Sequence, residues 1–126
     1  MTCDCNKDRI EVLVKQGTSR SCNFTVRDKD GTPLLLNSYT IRVQIKKYPL
    51  AKIPALREWI IDTNSVDGGR ITSIDEGKFT VTITSEVSAS LNPDIYYLVI
   101  MLVNPDNQII ISGEGDKSGI LKICNQ

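Results

Sequence analysis

Apolar and polar side chains alternate along this chain in short runs divided by turn residues, from Ile10 to Cys124. Strict alternation buries one face of a strand and wets the other, so a series of such runs predicts two sheets packed face to face. The first run, Ile10 to Lys15, sets Ile10, Val12 and Val14 on one face, and Gly17-Thr18-Ser19 turns it. In the second, Ser21 to Arg27, Cys22, Phe24 and Val26 point inward. Asp30-Gly31 then gives a strong turn signal within Asp28 to Pro33, ahead of a short apolar piece, Leu34 to Leu36. The clearest alternation places Tyr39, Ile41, Val43 and Ile45 inward and Thr40, Arg42, Gln44 and Lys46 in water. Further strands are predicted at Arg70 to Ile74, Lys78 to Thr84, Tyr96 to Val103, Gln108 to Ser112 and Ile120 to Cys124. The segment from Tyr96 is apolar on both faces, which suits a central strand covered on both sides or crossing an interface. One helical turn is expected at Ser85 to Leu91, with a hydroxyl cap and Glu86 in its first turn. The pattern is therefore that of an all-β sandwich of about seven to nine antiparallel strands.

Between Lys47 and Asp62 the period of two fails. Pro49 and Pro54 each remove a backbone donor, so residues 47–62 are expected to form an inserted loop or an edge excursion. The stretch holds the only tryptophan, Trp59, with Tyr48, Leu50, Ile53 and Leu56, more apolar surface than a solvated loop requires. Either it folds back over a sheet edge or it presents these groups, with Arg57, to a partner. Arg42, Lys46, Lys47, Lys52 and Arg57 are candidates for one basic outward face, whose bland reading is a solvated sheet.

A chain of 126 residues is one domain's worth, and 40% apolar with 24% charged residues is the composition of a globular protein. Fifteen cations balance fifteen anions, so no general attraction to nucleic acid or to acidic membranes is expected. No run approaches the length of a membrane span, and the N-terminus lacks a secretory signal's basic and apolar regions, so synthesis in a cytoplasm is expected. Histidine is absent, which removes the usual general base and any Ser/His or Cys/His pair. The acidic residues fall mostly in turns. The reading is non-enzymatic, with no catalytic residue, cofactor or metal. Cys3-Asp4-Cys5, Cys22 and Cys124 lack zinc-site spacing. If Gly17 turns a hairpin, Cys22 pairs near Leu13, far from Cys5, and is a core thiol with a structural role. Cys3 and Cys5 are candidates for engagement with a neighbouring subunit.

The order of these pieces resembles a known family, the immunoglobulin-like domains of tailed-phage structural proteins, similar to the N-terminal domain of upper-baseplate proteins and to head and tail attachment modules. The likeness is carried by Lys15-Gln16-Gly17, Phe24-Thr25-Val26, Asp28 to Pro33 and Tyr39 to Lys46. It continues through Gly77-Lys78-Phe79-Thr80-Val81, Glu86, Ala89 and Leu91, Pro93, Tyr96, Asn104-Pro105-Asp106-Asn107 and Gly119-Ile120-Leu121. Asp94 stands where such domains usually show glycine. The resemblance implies an arm at 1–8, a single immunoglobulin-like sandwich at 9–126, and a structural tyrosine corner at Tyr96. It also implies a structural component of a virion, made in a bacterial host's cytoplasm and docking onto capsid, connector or tail proteins, with a homo-oligomer expected. A carbohydrate-binding or adhesin module on the same fold is the alternative. That reading needs exposed aromatics, and Tyr39 and Tyr96 are read as structural.

Overall fold

The strongest alternation in the sequence becomes an interior strand of the larger of two sheets. A computed structural model describes residues 11–27, 30–48, 50, 52–66, 68–112 and 119–125. In chain order the strands are β1 (Glu11–Lys15), β2 (Arg20–Thr25), β3 (Thr40–Lys46), β4 (Arg57–Ile61), β5 (Gly69–Ser73) and β6 (Lys78–Ile83). Helix α1 (Ser85–Ser90) follows, then β7 (Asp94–Val103), β8 (Ile109–Ser112) and β9 (Gly119–Cys124). The larger sheet runs β1-β9-β7-β3-β4, with β8 also on β7, and the smaller runs β2-β6-β5. Neighbours are antiparallel except β1 and β9, which run parallel with Glu11 beside Ile120 and Lys15 beside Cys124. Two largely antiparallel sheets joined in this way, with a tyrosine corner leading into β7, make an immunoglobulin-like sandwich.

Inward side chains from both sheets close the core. Val12, Val14, Ile41, Val43, Ile45, Ile61, Leu98, Leu102, Leu121 and Ile123 come from the larger sheet, and Cys22, Phe24, Phe79, Val81 and Ile83 from the smaller. Phe24 and Phe79 stack with centroids 5.1 Å apart. Tyr39 is half-buried and packs against the core. Leu36, predicted only as part of a short apolar piece, is fully buried.

Several expectations need correction. The Gly17 turn does not make a hairpin: it carries the chain from one sheet to the other, so Cys22 lies opposite Val81 on β6 and not near Leu13. Crossing between sheets lets the apolar faces of β1 and β2 meet across the interior, which a flat hairpin would not allow. Cys22 is buried as expected, but its sulfur is in a disulfide and is not a thiol; the other half of that bond lies outside the described residues, as do Cys3, Cys5 and Ile10. Cys124 is a half-buried free thiol. The irregular middle stretch contains a regular edge strand, β4, paired with β3. Gln44 and Lys46, assigned to water, are 7% and 3% exposed. They sit on the outward face of β3, and outward Val99 and Met101 on β7 are buried too, so that face is covered at its centre.

The sandwich has two ends. At the first lie the β1–β2 turn, the β3–β4 loop, α1 and the start of β7; at the second lie the β2–β3 connection, the β5–β6 turn and the β7–β8 turn. Helix α1 starts at Thr84, whose hydroxyl accepts from the Val87 amide at 3.3 Å, with Glu86 in the first turn as expected. Ser88, fully buried, fastens the helix to the β1–β2 turn. Its hydroxyl donates to the Thr18 carbonyl at 2.6 Å and accepts from the Gly17 amide at 3.0 Å. The Gln16 side chain donates to the Leu91 carbonyl at 2.9 Å. Tyr96, 6% exposed, donates its hydroxyl to the Asn92 carbonyl at 2.8 Å and forms the corner that leads into β7.

Candidate functional site

Loop 47–56 between β3 and β4 is pinned at its base by backbone hydrogen bonds. The Leu56 amide donates to the Ile45 carbonyl at 2.7 Å, and the Ile53 amide to the Leu50 carbonyl at 3.1 Å. That same Leu50 carbonyl accepts from buried Lys46 Nζ at 3.1 Å, so the lysine stem lies under the loop and its ammonium donates to backbone there. Lys47 pairs with Asp94 and stands 5.2 Å from the centre of the Tyr96 ring, which places a cation–π contact on the tyrosine corner. The hydrogen bond to Asp94 holds the Lys47 ammonium above the ordinary lysine pKa. The same bond, with the Ile95 amide, holds Asp94 below the usual carboxylate range. Asp94, at the position where glycine is usual in the resembling domains, is thereby given a partner.

The predicted interface residues divide. Tyr48, Leu50 and Leu56 are 56%, 50% and 48% exposed. Arg57 is exposed, with its guanidinium donating to Ser90 Oγ at 3.2 Å, which ties β4 to α1. Ile53 is half-buried. Trp59 is half-buried as well, packing on the core from the inward side of β4 and lying against Gly68. Loop 47–56 thus presents Tyr48, Leu50 and Leu56 outward, while Trp59 turns into the sandwich.

The basic residues do not gather on one sheet face. Arg42 donates to Glu58 Oε2 through Nε and Nη2, at 3.1 and 2.7 Å, and Gln44 donates to the same oxygen. Burial alone would raise the Glu58 pKa, but the bonds from Gln44 and Arg42 outweigh it and hold the carboxyl below its ordinary value. Lys46, Lys47, Lys52 and Arg57 belong instead to the first end of the sandwich. Sequence reasoning missed this because β4, which carries Glu58, was not recognised as a strand beside β3.

Two open depressions of about 370 Å³ mark the sheet surfaces. One is lined by Thr40, Arg42, Ile60, Val103, Asn107 and Ile109. The other is a hydroxyl-rich patch on the smaller sheet, including Ser21, Thr72, Thr80, Thr82 and Arg70. Neither carries an aromatic ring. Among the described residues no three of His, Cys, Asp and Glu come together as metal ligands, and no helix is long and apolar enough to cross a membrane. Loop 47–56 exposes apolar side chains, Tyr48, Leu50 and Leu56, beside the cationic Lys52 and Arg57.

No protein-family model matches this sequence. No curated protein matches it either. Among solved structures, the N-terminal domain of phage TP901-1 ORF48 is similar over 98% of this chain and 94% of that one, at a TM-score of 0.56 and 9% identity. A chain from a study of multimeric cell-adhesive interactions of VGSC beta subunits covers 98% of this chain and 96% of its own, at 0.43 and 9%. A chain of the complex of ICOS with ICOS-L and an anti-ICOS-L VNAR domain covers 91% and 53%, at 0.42 and 9%. At this identity the likeness to the phage domain is one of fold, shared along nearly the whole of both chains.

Proposed function

We propose that this chain is a non-enzymatic structural component of a tailed-phage virion, acting as an attachment module. The observation that carries the reading is the set of exposed Tyr48, Leu50 and Leu56 beside Lys52 and Arg57, held at one end of a stiff sandwich. An apolar centre with a cationic rim is the composition of a docking surface, and loops on a rigid scaffold are where such surfaces usually lie. The fold shared with the N-terminal domain of a phage protein supports the setting. Partners are capsid, connector or tail proteins, met through loop 47–56 and the adjoining β4 edge. Trp59 contributes indirectly, by anchoring β4 to the core beneath the loop.

Mass spectrometry of purified particles tests the proposal: the chain is expected at a fixed ratio to the major capsid protein, and its absence from particles overturns the assignment. Within the particle, Leu50→Asp with Leu56→Asp is expected to cut incorporation at least tenfold while leaving the circular dichroism spectrum of the isolated chain unchanged. Saturable quenching of Trp59 fluorescence by a host polysaccharide would favour a carbohydrate-binding module instead.

A further inference from the structure

The chain is neutral as a whole, yet its described charges are sorted by end. The first end carries Lys15, Arg20, Lys47, Lys52 and Arg57, with buried Lys46 behind them, against two carboxylates, Glu86 and Asp94. The second end carries Asp30, Asp75, Glu76 and Asp106, against Arg27 and Lys78. Two ion pairs fall inside one end each, Lys47 with Asp94 at the first and Lys78 with Glu76 at the second. Each end also exposes aliphatic surface beside its charges, Leu50 and Leu56 at the first, Leu35, Ile74 and Ile109 at the second. Among the described residues, therefore, the two ends carry opposite sign, each with exposed aliphatic side chains as well.

We infer that copies of this chain associate end to end, the cationic first end of one docking on the acidic second end of the next. Such a contact joins two different patches, so it repeats from copy to copy and builds a ring or a row; it does not stop at a closed pair. The choice of a second copy as occupant rests on charge complementarity supplied by the chain itself. Exposed charges attract only within roughly a Debye length, about 8 Å at physiological ionic strength, so the contact is salt-sensitive. This inference names one partner within the assembly reading and rests on it for its biological setting. Sedimentation of the purified 126-residue chain is independent of the particle, so its failure leaves the particle test standing.

Sedimentation velocity is the experiment. In low salt the weight-average mass is expected to climb with concentration beyond two copies, and in about 0.5 M sodium chloride to fall to that of the 14.0 kDa monomer. Lys52→Glu with Arg57→Glu, and separately Asp75→Lys with Asp106→Lys, are each expected to abolish the low-salt association. An equimolar mixture of the two variants is expected to restore it, because one then has two acidic ends and the other two basic ends. A wild-type chain that stays at the monomer mass in low salt overturns the inference. So does a mass that halts at two copies, or variants that associate as the wild type does. The salt comparison needs no variant to fold.

Discussion

Ser88 shows how much one small hydroxyl can hold. It is buried without exposure and serves two backbone groups of the β1–β2 turn, so its removal takes a partner from the Gly17 amide and from the Thr18 carbonyl at once. Ser88→Ala is expected to lower unfolding free energy by about 1–3 kcal/mol in urea titration; a change within error would show that the turn finds other partners. Glu58 is the second residue with a measurable signature. Its folded-state pKa is depressed, so its contribution is complete above the unfolded value of about 4.3 and is lost as the pH falls through the lower, folded value. Between about pH 6 and about pH 3 the melting temperature of Glu58→Gln is expected to fall less than that of the wild type; parallel curves would remove Glu58 from the acid response. Neither role was legible in the sequence. A serine in a helical turn carries no mark of what it touches, and Glu58 gains meaning only when β4 lies beside Arg42 and Gln44.

The elements were legible to the extent that their patterns are local. Alternation marks Ile41, Val43 and Ile45 as inward because the period of a strand is a property of consecutive residues. It did not reveal that Gln44 and Lys46 are buried, since periodicity names a face without saying whether that face is covered. Strand β4 was hidden by two prolines ahead of it and by the unbroken apolar run Trp59-Ile60-Ile61, which masks the in-and-out period. Pairing of β1 with β9, and of β2 with β6, joins residues far apart in the chain and left no local trace. Gly77 closes the β5–β6 turn at φ 68°, and a Cβ there would sit 2.5 Å from the Val26 carbonyl oxygen. Gly77→Ala is expected to cost at least about 1 kcal/mol, seen as a lower urea midpoint with an unchanged slope; wild-type stability would mean that the Val26 to Leu34 segment can move aside.

Across the whole molecule, charge and apolar surface are distributed by end while the core is distributed by face, and these two arrangements do different work. The faces hold the sandwich together, and the ends are left to meet neighbours. The alternation of the sequence specified the first arrangement. The second depends on which turns share an end, a matter of topology, so the grouping of Lys15, Arg20, Lys52 and Arg57 came only from the fold, which also selected Tyr48, Leu50 and Leu56 as the exposed members of the apolar set the sequence offered.

The parallel union of β1 with β9 carries a consequence for biosynthesis. The first strand described has its ladder partner in the last strand described, so a nascent chain on the ribosome holds an unclosed sheet until β9 emerges. A polypeptide ending before Gly119 would leave β1 and β7 without their neighbour. It is expected to be degraded or to aggregate during translation, and native-like circular dichroism from such a truncated chain would show that closure is dispensable.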